Sequence, residues 1–298
     1  MKVWYNGNVM DANECRISIL DHGLLYGDGV FEGIRITGGR VFRLSDHLAR
    51  LQRSARALGI ELPYTLDETA AIVLQTAAAF GRDEAYIRLL LTRGVGELSL
   101  DPLSCEKPQL ICIAAEIRMF PAATYSQGIR LMTASSRRPG VDVLDPQVKS
   151  LNYLNNVLAK REARLKGFDD ALMLNQSGRV AEASGANIFA VIDGVLATPP
   201  AYEGALPGVT RATVLEARSH NNLPVSERPL TCYDLLAASE VFLSGNGAGL
   251  IPVYTLDDTV IGGGDRPVFE QAVLDYRDFS AAHGTPFAPY RAANLAVG

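Results

Sequence analysis

The chain has 298 residues, 48% of them hydrophobic, and 28 Lys+Arg against 33 Asp+Glu give a formal charge of −5. That is enough apolar material for one large core or two ordinary ones. The near-balanced charge excludes the clustered basic footprint of a nucleic-acid or anionic-membrane binder, and the longest apolar runs fall far short of the roughly 20 residues that span a bilayer.

The opening Met1-Lys2-Val3-Trp4-Tyr5-Asn6-Gly7 reads as a strand running into an Asn-Gly turn. It lacks the apolar core of a signal peptide, which points to the cytoplasm. A glycine-rich, β-forming segment at 26–36 follows. Ser45 is then placed to cap a helix carrying Leu48, Leu51, Ala55 and Leu58, closed by Gly59. Thr65-Leu66-Asp67-Glu68 is a capping box that opens a second helix ending at Gly81. Strands are expected at 85–92 and 109–117, and the Pro121-bearing stretch 120–127 is read as an interdomain connection.

Beyond it, a strand at 129–134 leads through a Pro/Gly loop to Lys149. A helix then carries Leu151, Leu154, Leu158 and Leu165 on one side and stops at Gly167. Short strands at 171–175, 187–192 and 195–198 are separated by Gln-Ser-Gly and Asp193-Gly194 turns. Helices are expected at 209–221 and 267–283, the second with Pro267 in its first turn and Gly284 beyond its end. Hairpins imply antiparallel pairing, so the expected class is α+β: a small domain over 1–120, a connection at 121–128 and a larger domain over 129–298. Cys15, Cys105, Cys112 and Cys232 show no CxxC spacing, and His22, His47, His220 and His283 are scattered. Free thiols and no metal site are expected.

Four features carry chemistry. Lys149 lies between a loop and an apolar helix; a surface lysine is the plain alternative, although a cation at a helix N-terminal end costs about 0.3–1 kcal/mol. Glu182 sits among small residues just before an apolar strand, where a carboxylate needs a cation or donors to be buried. Leu206-Pro207-Gly208-Val209-Thr210-Arg211 opens a helix whose free N–H groups suit a phosphate. Ser244-Gly245-Asn246-Gly247-Ala248-Gly249 is glycine-rich but has neither the third spaced glycine nor the following helix of a dinucleotide fingerprint. It reads equally as an anion-facing loop or as a plain turn.

Taken together, Glu182-x-Ser184-x-x-Asn187-Ile188-Phe189, then Leu196-x-Thr198, then Leu206-x-Gly208-Val209-x-Arg211 resembles the signature of class IV aminotransferases, pyridoxal-phosphate enzymes of fold type IV. The resemblance implies a two-domain α+β fold with a small α/β domain and a larger antiparallel, barrel-like one. It implies that Lys149 is the Schiff-base and proton-shuttling lysine, that Glu182 pairs with the pyridine nitrogen, and that Tyr153 meets the phenolic oxygen. Arg50, Leu206, Gly208, Val209, Thr210, Asn246 and Gly247 would hold the cofactor, chiefly its phosphate. Asn246-Gly247 departs from the Thr-Ala usual there, and Gly249 stands where a glutamate is usual.

The segments 22–35, 85–88 and 93–102 are similar to branched-chain aminotransferases. They imply a substrate pocket of Tyr26, Phe31, Gly33, Tyr86, Arg88, Leu98 and Leu100, completed by Gly247 and Ala248. Arg88 is also readable as a plain ion-pair partner on a strand. The implied reaction moves an amino group from a branched-chain or other apolar L-amino acid to 2-oxoglutarate. A D-amino acid or (R)-amine transaminase and 4-amino-4-deoxychorismate lyase are alternatives on the same fold. A homodimer or higher homo-oligomer is implied as well, with a partner-subunit loop in each pocket, and neither nucleic acid nor membrane as partner.

Overall fold

The computed structural model describes residues 1–117, 120–221 and 223–290. The chain divides into two units. The first comprises Met1–Ile117, Val148–Asn152 and the chain from Ser280 as far as it is described; the second takes the stretch ending at Gln147 and Tyr153–Phe279. This differs from a single cut near residue 120, because a five-residue piece around Lys149 and the last strand both pack with the N-terminal segment. The expected limit at residue 298 lies outside the described residues.

In the first unit, strands β1 (Lys2–Tyr5), β2 (Asn8–Asp11), β3 (Gly29–Thr37), β4 (Arg40–Phe42), β5 (Ala85–Thr92) and β6 (Gln109–Ala115) are joined by the late strand Gly284–Pro286. Their order across the sheet is Gly284–Pro286, β4, β3, β5, β6, β1, β2, and every neighbouring pair is antiparallel. Helices α1 (His22–Tyr26), α2 (Leu44–Ala57) and α3 (Leu66–Phe80) belong to the same unit. Ile34, Ile36, Leu48, Leu51, Val73, Ala77, Ile87, Leu89 and Leu91 form its core. The capping box at Thr65 is present as expected, but α2 starts at Leu44 with Arg43 at the cap in the left-handed region, φ 41°, and no capping side chain. A tight turn out of β4 therefore sets the start of α2, and Ser45 lies inside the helix.

Strand alternation decides what β3 and β5 offer to each side. Phe31 lies opposite Leu90 and Gly33 opposite Arg88. Ile87, Leu89 and Leu91 are completely buried, whereas Tyr86, Arg88 and Leu90 between them are half-buried. One face of this strand pair is core. The other carries Phe31, Gly33, Tyr86 and Arg88.

The second unit contains β7 (Ile129–Thr133), β8 (Asp170–Leu174), β9 (Val180–Ala183), β10 (Asn187–Ile192), β11 (Val195–Thr198), β12 (Val225–Glu227), β13 (Glu240–Gly245), β14 (Gly249–Leu256) and β15 (Thr259–Val260). The order is β12, β11, β10, β13, β14, β7, β8, β9, with β15 on β14. Hairpins supply the antiparallel pairs other than the long-range β10–β13, while β7 runs parallel to both neighbours and β12 parallel to β11. These three pairings join strands distant in the chain, which no turn signal announces. The helices are α4 (Ala122–Gln127), α5 (Val141–Leu144), α6 (Leu154–Leu165), α7 (Val209–His220), α8 (Cys232–Ala237) and α9 (Pro267–Ala282). Thus the stretch read as a bare connection contains α4.

Glu182 lies within β9, just before the apolar β10. One further expectation needs correction. In α6 the buried positions are Asn156, Ala159 and Ala163, while Leu154, Leu158 and Leu165 are exposed and Leu151 precedes the helix. The small residues let α6 approach its own unit closely, and its large aliphatic residues point away.

Candidate active site

The lysine, the candidate phosphate arginine and most of the candidate substrate wall lie in the first unit. Residues 149–151 run alongside the start of β3: the Phe31 N–H donates to the Lys149 carbonyl at 3.0 Å, and the Leu151 N–H donates to the Gly29 carbonyl at 2.8 Å. The Lys149 N–H donates to Ser54 Oγ of α2 at 3.2 Å. The main chain of the lysine is therefore pinned on two sides. Its Nζ lies 4.5 Å from the centroid of the Phe31 ring, a cation over an aromatic face.

Arg88 shares that ring, its guanidinium carbon 4.6 Å from the Phe31 centroid and 5.6 Å from that of Tyr86. It has no carboxylate partner among the described residues, which disfavours the plain ion-pair reading. Gly33 lets Tyr86 approach closely: a Cβ there would stand 1.8 Å from the Tyr86 hydroxyl, so a larger residue would push that side chain aside. Tyr26 packs edge-on against the buried His22, with centroids 4.9 Å apart. Leu98 and Leu100 are 76% and 81% exposed, so within their own unit they line no wall.

Arg50 lies on α2 and is buried. Its Nε and Nη2 donate to the two oxygens of Glu32, each at 2.7 Å, and His47 Nδ1 lies 2.7 Å from Glu32 Oε2. Burial alone would raise the Glu32 pKa, but the Arg50 guanidinium, aided by His47, pulls it down to about 2. An ionised carboxylate only accepts, so His47 Nδ1–H donates. Burial also pushes His47 below its ordinary value, against the pull of Glu32.

The second unit carries the other half of the candidate set. Glu182 is buried in β9, with Oε1 3.1 Å from Arg138 Nη2. Its Oε2 accepts from Asn187 Nδ2 at 3.1 Å and from the Leu206 N–H at 3.0 Å. Arg138 is itself held, donating to the Gly204 carbonyl at 3.1 Å and to Asn156 Oδ1 at 2.9 Å. A carboxylate with a cation and two neutral donors has its desolvation cost offset by fixed partners.

Next to it, α7 begins at Val209 after the N-cap Gly208, with no side chain capping its first turn. A Cβ on Gly208 would stand 2.1 Å from Asn187 Oδ1, so a larger residue would displace the side chain that holds Glu182. The Thr210 hydroxyl donates to Asn246 Oδ1 at 2.7 Å, tying the start of α7 to the Asn246–Gly247 turn between β13 and β14. Ala248 is buried in that turn. Tyr153 is the N-cap residue of α6.

Sequence reasoning passed over Glu32, His47 and Ser54 in the first unit and Arg138 and Asn156 in the second as members of the site. The first group had a signal: positions 47, 50 and 54 are polar at helical spacing within the apolar face of Leu44, Leu48, Leu51 and Ala55. Arg138, in a Pro/Gly loop, had none.

This two-unit α+β fold, with its pinned lysine and uncapped helix start, is that of a fold type IV aminotransferase. The family model for amino-transferase class IV matches residues 29–256. The chain is 48% identical over 261 residues, 88% of its length and 90% of the relative's, to a Methanocaldococcus jannaschii protein provisionally named a branched-chain-amino-acid aminotransferase. It is 32% identical to the branched-chain-amino-acid aminotransferase of Pseudomonas aeruginosa, covering 97% of this chain and 96% of that one. The crystal structure of the branched-chain aminotransferase of Thermoproteus uzoniensis with norvaline superposes with a TM-score of 0.89 at 35% identity, covering 96% and 99% of the two chains. A second branched-chain amino acid aminotransferase, crystallised with pyridoxamine 5'-phosphate, superposes with a TM-score of 0.90 at 32% identity, covering 96% and 98%.

The chain belongs to the class IV aminotransferases and is a pyridoxal-phosphate enzyme. Each unit by itself holds groups whose chemistry suits such a cofactor: the second has a helix start without a side-chain cap, tied to an amide, and a buried carboxylate, and the first has a lysine with a pinned main chain.

Proposed function

We propose that the protein transfers the amino group of a branched-chain or other apolar L-amino acid to 2-oxoglutarate. The observation that carries this reading is the half-buried Arg88 guanidinium, without a carboxylate partner among the described residues and stacked on Phe31. Such a wall can face an aliphatic side chain with its ring and a second carboxylate with its guanidinium. The names of the relatives point the same way.

Within this reading, Arg50, Leu206, Gly208, Val209, Thr210, Asn246 and Gly247 hold the cofactor, with Arg50 and the start of α7 on its phosphate. Tyr153 donates to the phenolic oxygen, and the Glu182 carboxylate orients the ring by accepting from its nitrogen. When bound, pyridoxal phosphate supplies the electron sink that lets a substrate Cα–H ionise. Lys149 Nζ moves that proton, its main chain pinned by Phe31 and Ser54 so that the side chain alone swings. Tyr86 and Arg88 select the substrate carboxylate, while Gly33 makes room for the Tyr86 hydroxyl.

Leucine, isoleucine and valine are expected to yield glutamate from 2-oxoglutarate, whereas D-alanine and (R)-1-phenylethylamine are not. Turnover of either of the latter two in preference to L-leucine overturns the substrate assignment. Pyruvate release from 4-amino-4-deoxychorismate without an amino acceptor would mark a lyase instead.

A cytoplasmic homodimer accompanies this reading. Among the described residues no helix is long and apolar enough to cross a membrane. Leu98, Leu100 and Leu103 are strongly exposed on one loop of the first unit, and Leu154, Val157 and Leu158 form an exposed aliphatic stripe on α6 of the second. Such patches are characteristic of subunit contacts. Sedimentation is expected to give twice the chain mass, and an active monomer would refute it.

A further inference from the structure

We propose that Glu32 and His47 are positioning residues for the cofactor phosphate: together they lock the Arg50 guanidinium in one plane, so that the arginine meets the phosphate already oriented. The inference rests on the reading of Arg50 as a phosphate ligand and adds two residues that neither the sequence signature nor the relatives' names assign.

The geometry is that of a brace. Glu32 is at the middle of β3 and completely buried; Arg50 and His47 are one helical turn apart on α2, and both are buried. Both Glu32 oxygens receive the Arg50 fork at 2.7 Å, through Nε and Nη2, and Oε2 also receives His47 Nδ1 at 2.7 Å. A two-point fork removes rotation about the last torsions of the arginine, freedom that a phosphate would otherwise have to freeze on binding. His47, at its short contact, stops the carboxylate from turning in its own plane. An arginine that served only to neutralise a buried glutamate would not need the histidine.

The brace is also continuous with the lysine. Phe31, the neighbour of Glu32 in β3, takes the Lys149 carbonyl with its N–H and lies beneath Lys149 Nζ, while Ser54, one turn beyond Arg50, accepts from the Lys149 N–H. Because β3 residues alternate in direction, one dipeptide of one strand registers the arginine through Glu32 and the lysine through Phe31. The spacing between the two groups is thereby set before any ligand arrives.

The test compares two ligands on the apo form of the full-length protein: pyridoxal phosphate and pyridoxal, which lacks the phosphate. Their affinity ratio isolates the phosphate site from the lysine and the ring contacts. Glu32→Gln is expected to weaken pyridoxal phosphate binding at least about tenfold, in the range of a lost charge-assisted hydrogen bond, with pyridoxal changed less than twofold. His47→Gln, whose amide can still donate to Glu32, is expected to keep most of the ratio, and His47→Phe to lose it. An equal loss for both ligands in Glu32→Gln and His47→Phe would mean that the cluster supports the fold alone and would overturn the proposal. Should Glu32→Gln not fold, the His47→Gln and His47→Phe pair decides by the same ratio. Arg50→Ala separates the two levels: if it leaves the ratio unchanged, Arg50 is not a phosphate ligand, and the underlying reading fails rather than the brace.

Discussion

Glu32 and Glu182 are both buried carboxylates that face an arginine, one in each unit, and they are clamped in different ways. Glu32 gives both oxygens to a single guanidinium fork and shares one of them with His47. Glu182 gives one oxygen to Arg138 and the other to two neutral donors, Asn187 and the Leu206 N–H. The fork makes a rigid object of the arginine, whereas the mixed set makes a rigid object of the carboxylate. Glu32 therefore serves Arg50, and Arg138 serves Glu182. Burial and pairing look alike in the two places, and the distribution of donors reveals which partner is being presented.

The largest expected effect separates the two glutamates by chemistry. Glu182→Gln should lower kcat/KM by about 10³-fold, the scale of a lost catalytic proton-holding group. Steady-state rates with leucine check this, and a loss below tenfold would remove Glu182 from the reaction. Next comes Arg138→Met, which strands the Glu182 charge in the interior. Removing one partner of a buried pair costs about 3–5 kcal/mol, readable as a lower denaturant midpoint. If the double variant with Glu182→Gln recovers most of that loss, Arg138 exists to serve the carboxylate.

The third expectation concerns acid. Glu32 titrates at about 2 in the folded protein against an ordinary 4.5. Since the folded value is the lower one, its stabilisation is complete above pH 4.5 and disappears as the pH falls towards 2, a loss of about 3 kcal/mol. His47 is depressed below 6.5 as well, so its contribution starts to fall once the pH drops below 6.5. Unfolding free energies measured at pH 7, 5 and 3 should trace this decline. Glu32→Gln should flatten its lower part. The smallest effect is that of Thr210→Val, which breaks the hydroxyl bond to Asn246. It should weaken cofactor binding about fivefold, the equivalent of roughly 1 kcal/mol, and an unchanged affinity would separate Asn246 from the start of α7.

Much of this was legible in the chain itself where the information is local. The capping box at Thr65, the alternation of residues 85–92 and Pro267 at the head of α9 are short-range devices, and each appears as read. The start of α2 was misread because a left-handed turn at Arg43, and not a capping side chain, begins it, and the buried face of α6 was misread for another reason. Leucines at helical spacing mark an apolar stripe without saying whether it faces the core or another surface, and in α6 the alanines took the core side. The Arg138 contact was unreadable, because nothing in Ser136-Arg137-Arg138-Pro139 distinguishes one arginine from the other.

By itself the sequence determined which chemical groups exist and their spacing along the chain: a lysine before a helix, a carboxylate followed by an asparagine, and a glycine opening a helix start. These are properties of neighbours in the chain, and local sterics and hydrogen bonding are enough to specify them. Only the tertiary structure decided the partners. Lys149 meets Ser54 across 95 residues of chain and belongs to the first unit, although residues on both sides of its segment belong to the second. A buried charge must be paired by whatever donor the fold brings within about 3 Å. That choice depends on strand register and helix placement, neither of which any window of sequence contains.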